Sequence, residues 1–415
     1  MVSKELHPPR RVVLHVGLHK TGTTYLQQLF KANRDALAEQ GVYYPGAADE
    51  PSHHMAAWDL RGRRATGGRD QRQVGQWDAL CAAVAGSALD TALISAESLS
   101  VLTPKQAVQA VASFPDHDVS VVVTCRDLGR VLVSAWQEGI KNDLTMTWPE
   151  FAAAVRDPAA RGRNPARGFW INHDLGAILA TWRAALPAKD IHVVTLPPAG
   201  TPPQELVARM AKVVGFAPES LSDPAARDNT SLGVAGTELV RRLNEALDHR
   251  LNQRQHTHFV RALLVPHLAG PGVDVRYGLP AEELEWVEAE ARRQMDAVRD
   301  GGHPVVGELD DLMPTVEAGA RRPDEVSTDE VLDAAIVALA GLGERSTQQW
   351  WRKRKSEQPR VAPASGRVRL TSARRAGVFR ARQLVASLAD RNRFAARAVG
   401  AYLRAQERRR SRRTA

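Results

Sequence analysis

Apolar residues in the first 200 positions fall into two spacings. Short unbroken runs at Val12–Val16, Thr91–Ser95, Val119–Thr124 and Ile191–Leu196 read as buried strands. Between them the apolar positions recur with a helical period. Tyr25, Leu26, Leu29, Phe30, Ala36 and Leu37 mark a helix that Gly41 stops. Further helices are predicted over 76–86, 104–113, 128–141, 148–155 with Thr147 as N-cap, and 174–186, where His173 and Asp174 read as capping residues. Residues 45–75 are rich in Gly, Arg and His and read as a long surface loop. The order β-α-β-α-β-α-α-α-β argues for a parallel sheet with helices on both faces.

Beyond Pro202 the pattern is mainly helical, over 203–214, 233–248, 254–265 and 281–298. Residues 300–327 are acidic and rich in Gly and Pro, a poor region for regular structure, and a helix follows near 328–342. The expected organisation is a main domain over 1–300, an acidic loop and helical extension over 301–355, and a tail over 356–415. That tail comprises a linker to about residue 367 and one or two Arg-rich helices over 370–411.

Charge sharpens this division. The chain of 415 residues has a formal net charge of +9. Residues 351–415 hold 20 Lys and Arg against 3 acids, a net of +17, which leaves −8 for the preceding 350 residues. The body is mildly acidic, so the average charge is no argument for a nucleic-acid partner, and none is expected. Apolar positions such as Val378, Phe379, Leu384 and Leu388 recur among the tail arginines, a pattern suited to an anionic membrane surface. The start of the chain has no apolar signal segment, and no stretch reaches the roughly 18–20 apolar residues needed to span a bilayer. A cytoplasmic protein is expected, peripheral at the inner membrane face if the tail binds there. Cys81 and Cys125 cannot form a disulfide framework and read as buried free thiols.

The chemistry concentrates where the first strand meets the first helix. Gly17-Leu18-His19-Lys20-Thr21-Gly22-Thr23-Thr24 sits where free amides and the helix dipole attract phosphate. Glycines allow close backbone approach, Lys20 adds a point charge, and the threonines add hydroxyl donors. A nucleotide-triphosphate loop would carry Lys directly after its second glycine. Here Thr23 follows Gly22, and the lysine comes two residues before it. A second cluster follows the strongest strand. Arg126 and Asp127 lie at its carboxyl end, the edge where ligands of open α/β sheets collect, and Ser134 is eight residues on. A guanidinium fork and a hydroxyl suit phosphate oxygens.

Lys-x-Gly-Thr-Thr after a hydrophobic strand resembles the 5′-phosphosulfate loop of sulfotransferases that use PAPS (3′-phosphoadenosine 5′-phosphosulfate). Arg126 with Ser134 is similar to that family's 3′-phosphate motif. The resemblance covers about Val12 to Leu196 and is closest to bacterial, carbohydrate-sulfotransferase-like members. It implies a P-loop-type three-layer fold with a central parallel sheet, a helical second half and, in this chain, a basic C-terminal tail. It implies PAPS as co-substrate, with His19, Lys20, Thr21, Gly22, Thr23, Thr24, Arg126 and Ser134 in the nucleotide site. Arg227, Asn229 and Ser231 are similar to a loop that closes over the nucleotide in bacterial members. No metal is expected.

Sulfuryl transfer needs a proton acceptor for the attacking hydroxyl. His53 and His54 lie after the first helix, with His54 preferred by position, and Glu97 follows the second strand; His54 or Glu97 would join Lys20 in catalysis. The expected acceptor is a hydroxylated glycan or glycolipid. Arg61, Arg63, Arg64 and Arg69 could meet an anionic glycan, and tryptophans such as Trp58 and Trp170 could stack on sugar rings. Two other readings stand beside this one: a P-loop kinase or NTPase, with Asp127 as its metal-binding acid, and a catalytically inactive nucleotide-binding protein at a membrane. The sequence does not fix the oligomeric state.

Overall fold

The computed structural model describes residues 10–47, 50–62, 74–223, 232–268, 277–316 and 320–356, with side chains described up to residue 351. Arg227, Asn229, Ser231, the arginines at 63, 64 and 69, and the tail from 357 onward lie outside the described residues.

Six parallel strands form the centre: β1 (Arg10–His15), β2 (Val42–Tyr43), β3 (Thr91–Ser95), β4 (His117–Cys125), β5 (Ile191–Thr195) and β6 (Val305–Val306), in the order β2-β3-β1-β4-β5-β6. The four strands read from the apolar runs are all present. β2 and β6 are two residues each, too short to show a period. Alternation along each strand divides the side chains between two layers. Val12, Leu14, Ala92, Ile94, Val121 and Val123 face a core shared with α3 (His53–Leu60), α4 (Gln76–Gly86), α5 (Pro104–Ala112) and α9 (Leu175–Arg183). Val13, Leu93, Val122 and Val194 face the opposite core, with α1 (Thr23–Ala32), α2 (Arg34–Ala38) and α10 (Gln204–Val214). This is a three-layer α/β fold of the P-loop type.

The remaining helices build a third core. It joins α6 (Leu128–Ile140), α7 (Trp148–Arg156) and α8 (Ala166–His173) to α11 (Val234–Leu247) and α14 (Leu284–Asp300). α12 (Gln253–Thr257) and α13 (Val265–Leu268) are joined by a π-helical stretch, His258–Leu264, which also packs there. α15 covers Thr328–Ser356.

Three expectations change. The loop over 45–75 contains α3, whose buried face is His53, Ala56, Ala57 and Leu60. The segment before Asp174 is helix α8, so His173 ends a helix while Asp174 alone caps α9, accepting the Ala177 N–H at 3.1 Å. Residues 300–327 supply β6 and bury Leu312 in the core. The compact unit containing the sheet runs to Gly343.

One buried ion pair ties that late segment to the sheet. Arg209 of α10 donates to Asp311 Oδ2 at 2.5 Å and to Thr195 Oγ1 at 2.7 Å, and Thr195 donates to the same carboxylate at 2.7 Å. Both charged side chains are nearly buried. Removing one partner strands the other charge out of water. Asp311→Asn is therefore expected to destabilise the protein by roughly 3 kcal/mol in urea unfolding, while Glu205→Gln, which touches the exposed side of Arg209, should cost under about 1 kcal/mol.

Candidate functional site

β1 lies at the switch point of the sheet. The chain leaves it toward β2 and β3 on one side, then crosses over to β4 on the other. The crevice beyond the carboxyl ends of β1 and β4 is where such sheets bind ligands. The Gly17–Thr24 loop follows the carboxyl end of β1 and Arg126 that of β4. After β1 the loop stays hydrogen-bonded to β4 through Val16 N–H to Val122 O (2.9 Å) and Leu18 N–H to Thr124 O (2.8 Å). It then turns through three left-handed positions, Gly17 (φ +49°), Lys20 (φ +66°) and Gly22 (φ +76°). A Cβ on Gly17 would lie 2.4 Å from Thr23 Cγ2, so only glycine fits. Lys20 has no such freedom, and its backbone costs about 1–2 kcal/mol.

Gly22 caps α1 with no side-chain hydrogen bond, and the first turn of α1 has no acid. The helix therefore presents its N-terminal amides and the positive end of its dipole uncompensated. Thr24 is exposed and Thr23 is buried. Thr21 was expected to face the nucleotide. It is fully buried, donates its hydroxyl to Leu18 O at 2.6 Å, and meets Thr124 Oγ1 at 2.8 Å. Thr124 reaches His15 Nε2 (3.2 Å), and His15 Nδ1 reaches Ser95 Oγ (2.8 Å). This row crosses β4, β1 and β3 on the α1 face of the sheet, directly under the loop. Burial pushes His15 down to about 4, against the pull of Glu97, so the imidazole is neutral and works as a hydrogen-bond bridge.

Lys20 is held from above. Its Nζ donates to Glu138 Oε2 of α6 at 2.6 Å. Lys141 Nζ lies 3.4 Å from the same oxygen, and Arg261 of the π-helical stretch binds Oε1. Burial alone would raise the Glu138 carboxyl, but the Lys20 ammonium and the other two cations hold it well below the carboxylate range. Ser134, half-buried, is one turn before Glu138 on the same face of α6. Glu138 is a site residue the sequence reading passed over; its spacing from Ser134 was the available signal. Arg126 Nε lies 3.8 Å from Asp127 Oδ2. Asp127 is buried and serves α6, accepting the Arg130 N–H at 2.8 Å and binding the Arg130 guanidinium. That helix-capping role occupies the carboxylate that a kinase reading would assign to a metal.

The histidine pair divides. His53 is buried in α3, accepts the Ser95 N–H at 3.1 Å, and is pushed by burial to about 4. His54 is partly exposed, and its Nε2 lies 3.9 Å from Glu97 Oε2, which also accepts from Gln27 Nε2 at 3.0 Å. Burial would raise the Glu97 carboxyl; His54 and the Gln27 hydrogen bond lower it on balance. His54 and Glu97 thus form one pair. His19 feels both Glu97 and Lys20, and burial lowers it. Arg61 also acts on His19 electrostatically, although it lies on the far side of α3 from the chain's start. Among the described residues no three His, Cys, Asp or Glu side chains are grouped to hold a metal ion, and no helix is long and apolar enough to cross a membrane. Cys81 and Cys125 are both free thiols, Cys125 fully buried.

Two cavities flank this centre. One of about 320 Å³ is lined by Thr24, Gln27, Lys31, Arg34, Ser52 and His54. The other, of about 930 Å³, begins at His19, Lys20 and Glu138 and extends between α6, α7 and α8. Trp136, Trp148 and Trp170 are buried in the helical core, and none of them lines either cavity.

The buried role of Thr21 gives a ligand-free test. Thr21→Val keeps the shape but leaves Leu18 O and Thr124 Oγ1 short of a partner, an expected loss of about 1–3 kcal/mol in thermal or urea unfolding. Thr21→Ser should retain most of the stability. Equal stability of the two variants would show that the hydroxyl does not hold the loop.

No protein-family model matches the chain, and comparison with curated proteins finds no match. Among solved structures, a sulfotransferase from Alicyclobacillus acidocaldarius aligns over 60% of this chain and 99% of its own, with 16% identity and a TM-score of 0.37. At that level the likeness transfers no residue role, and the functional reading rests on the site's own residues.

Proposed function

We propose that the protein is a sulfotransferase that moves the sulfuryl group of PAPS to a hydroxyl of a carbohydrate or glycolipid. One observation carries this reading: the Lys20 loop and Arg126 follow the carboxyl ends of adjacent parallel strands at the switch point. Two phosphate-binding devices side by side suit a nucleotide with phosphates at both ends of its ribose. The uncapped N-terminus of α1 and the close-packed Gly17 fit a 5′-phosphate; Arg126, with Ser134 on the following helix, fits the 3′-phosphate.

PAPS, when bound, supplies an activated sulfuryl group. The acceptor oxygen forms a bond to sulfur as the bond from sulfur to the 5′-phosphate oxygen breaks, and the hydroxyl proton passes to a base. Lys20 and the α1 amides stabilise the charge that grows on the departing phosphate. Lys20 must leave part of its contact with Glu138 to do so. Lys141 and Arg261 keep that carboxylate neutralised meanwhile. His54 takes the proton, with Glu97 orienting and stabilising the imidazolium, and His19 lies in the field of both Glu97 and Lys20.

Adenosine 3′,5′-bisphosphate should raise the melting temperature, and ATP with Mg²⁺ should not. A shift with ATP and none with the bisphosphate would favour a kinase or NTPase instead. Lys20→Ala should abolish transfer from labelled PAPS, and His54→Gln should lower kcat by roughly 10²–10⁴-fold with bisphosphate affinity unchanged. Near-normal turnover in either variant refutes the role given to that residue.

A further inference from the structure

The larger cavity has a continuous aromatic wall. Phe151 and Phe169 meet edge to face at 6.2 Å between centroids, Phe169 lies 4.8 Å from the His173 ring, and His173 meets His19 edge-on at 6.5 Å. All four line the cavity, and the row ends beside Lys20. His173 is 5% exposed, and its Nδ1 has no hydrogen-bond partner among the described residues.

The charged groups in the wall are already matched. Lys20 is paired with Glu138, and Asp143 with His249 at 2.9 Å. Lys20 is committed to the leaving phosphate, His249 to Asp143, and Lys141 and Arg261 to Glu138, so no cation of this wall is left over for an anionic ligand. Asn142, Asn164 and Asn172 offer uncharged donors and acceptors instead.

We propose that this cavity is the acceptor site and takes an uncharged hydroxylated ring compound, laid against the Phe151–Phe169–His173–His19 wall with a hydroxyl delivered to the Lys20 end. This rests on the sulfotransferase reading and deepens it by assigning the acceptor class. A volume of about 930 Å³ accommodates two rings. Aromatic faces stack on the apolar face of a sugar or on a phenyl ring, and the asparagines and His173 bond its hydroxyls. Burial, with His19 and Lys20 adding to it, lowers His173 to about 3, so the ring is neutral and can accept a hydroxyl's hydrogen bond. An anionic glycan, which the arginines of the 61–69 segment would favour, is disfavoured here.

The test compares phenyl β-D-glucopyranoside with phenyl β-D-glucuronide, which differ by one carboxylate, in saturation-transfer NMR and calorimetric titration of the full chain. The glucoside should bind at least tenfold more tightly. Gly168→Phe places a ring in the cavity from an exposed helical position where a Cβ meets nothing closer than Asn164 Oδ1 at 3.7 Å. It should abolish glucoside binding while adenosine 3′,5′-bisphosphate still binds. His173→Phe should weaken the glucoside about tenfold. Equal or tighter glucuronide binding, or unchanged glucoside binding in Gly168→Phe, overturns the assignment. Glucoside titration without nucleotide reads the cavity alone, so a chain that binds the glucoside but not the bisphosphate contradicts the nucleotide reading and leaves standing only the cavity's preference for an uncharged ring. The converse result contradicts only the cavity.

Discussion

A buried row of side chains, Thr21–Thr124–His15–Ser95, supports everything the site does. The loop after β1 must hold a lysine in a left-handed conformation at an open helix N-terminus. Nothing in the lysine's own chemistry favours that conformation. The row fixes the loop from below by linking it to three strands, and Glu138 fixes Lys20 from above. A neutral His15 suits this role, because an imidazolium buried beneath the loop would compete with the lysine for the incoming phosphate. The proposed anion site thus has its cation at the surface and a neutral foundation.

Charge is arranged on the same principle around Glu138. One carboxylate balances Lys20, Lys141 and Arg261, so the cluster keeps a surplus of positive charge without three mutually repelling cations standing unmatched. An arriving phosphate can take over Lys20 while the carboxylate keeps its other partners. The acidic body and the basic cluster are therefore compatible: in the proposed function a few placed cations would bind the anion, whatever the net charge of the domain.

The position of the Gly17–Thr24 loop between a strand and a helix was legible because its glycines, lysine and hydroxyls follow a run of apolar residues and precede a helical period. The four long strands were legible for the same reason. α3 and α8 were not. Each buries four positions at i, i+3, i+4 and i+7, but a histidine holds one of the four and alanine one or two others: His53, Ala56, Ala57 and Leu60 in α3, and Ala166, Phe169, Trp170 and His173 in α8. Histidine and alanine weaken an apolar signal even where both are core. Thr21 misled in the opposite sense, because a hydroxyl in a phosphate-loop motif reads as a ligand group whether it points out or in. Glu138 could not be read as a partner of Lys20, since the two are 118 residues apart and only the crossover of β4 beside β1 brings them together. His54 and Glu97 looked like alternatives in sequence and are one pair in space, because α3 packs against β3 and the turn that follows it.

In the proposed function, the groups at the carboxyl ends of β1 and β4 read a phosphate at each end of one nucleotide's ribose. The most direct measurement is calorimetric titration of adenosine 3′,5′-bisphosphate and adenosine 5′-monophosphate into the wild type and Arg126→Ala. The account predicts that the wild type prefers the bisphosphate by tenfold or more, about 1.4 kcal/mol, and that Arg126→Ala binds the two nucleotides alike. A wild type indifferent to the 3′-phosphate, or an undiminished preference in Arg126→Ala, would contradict it.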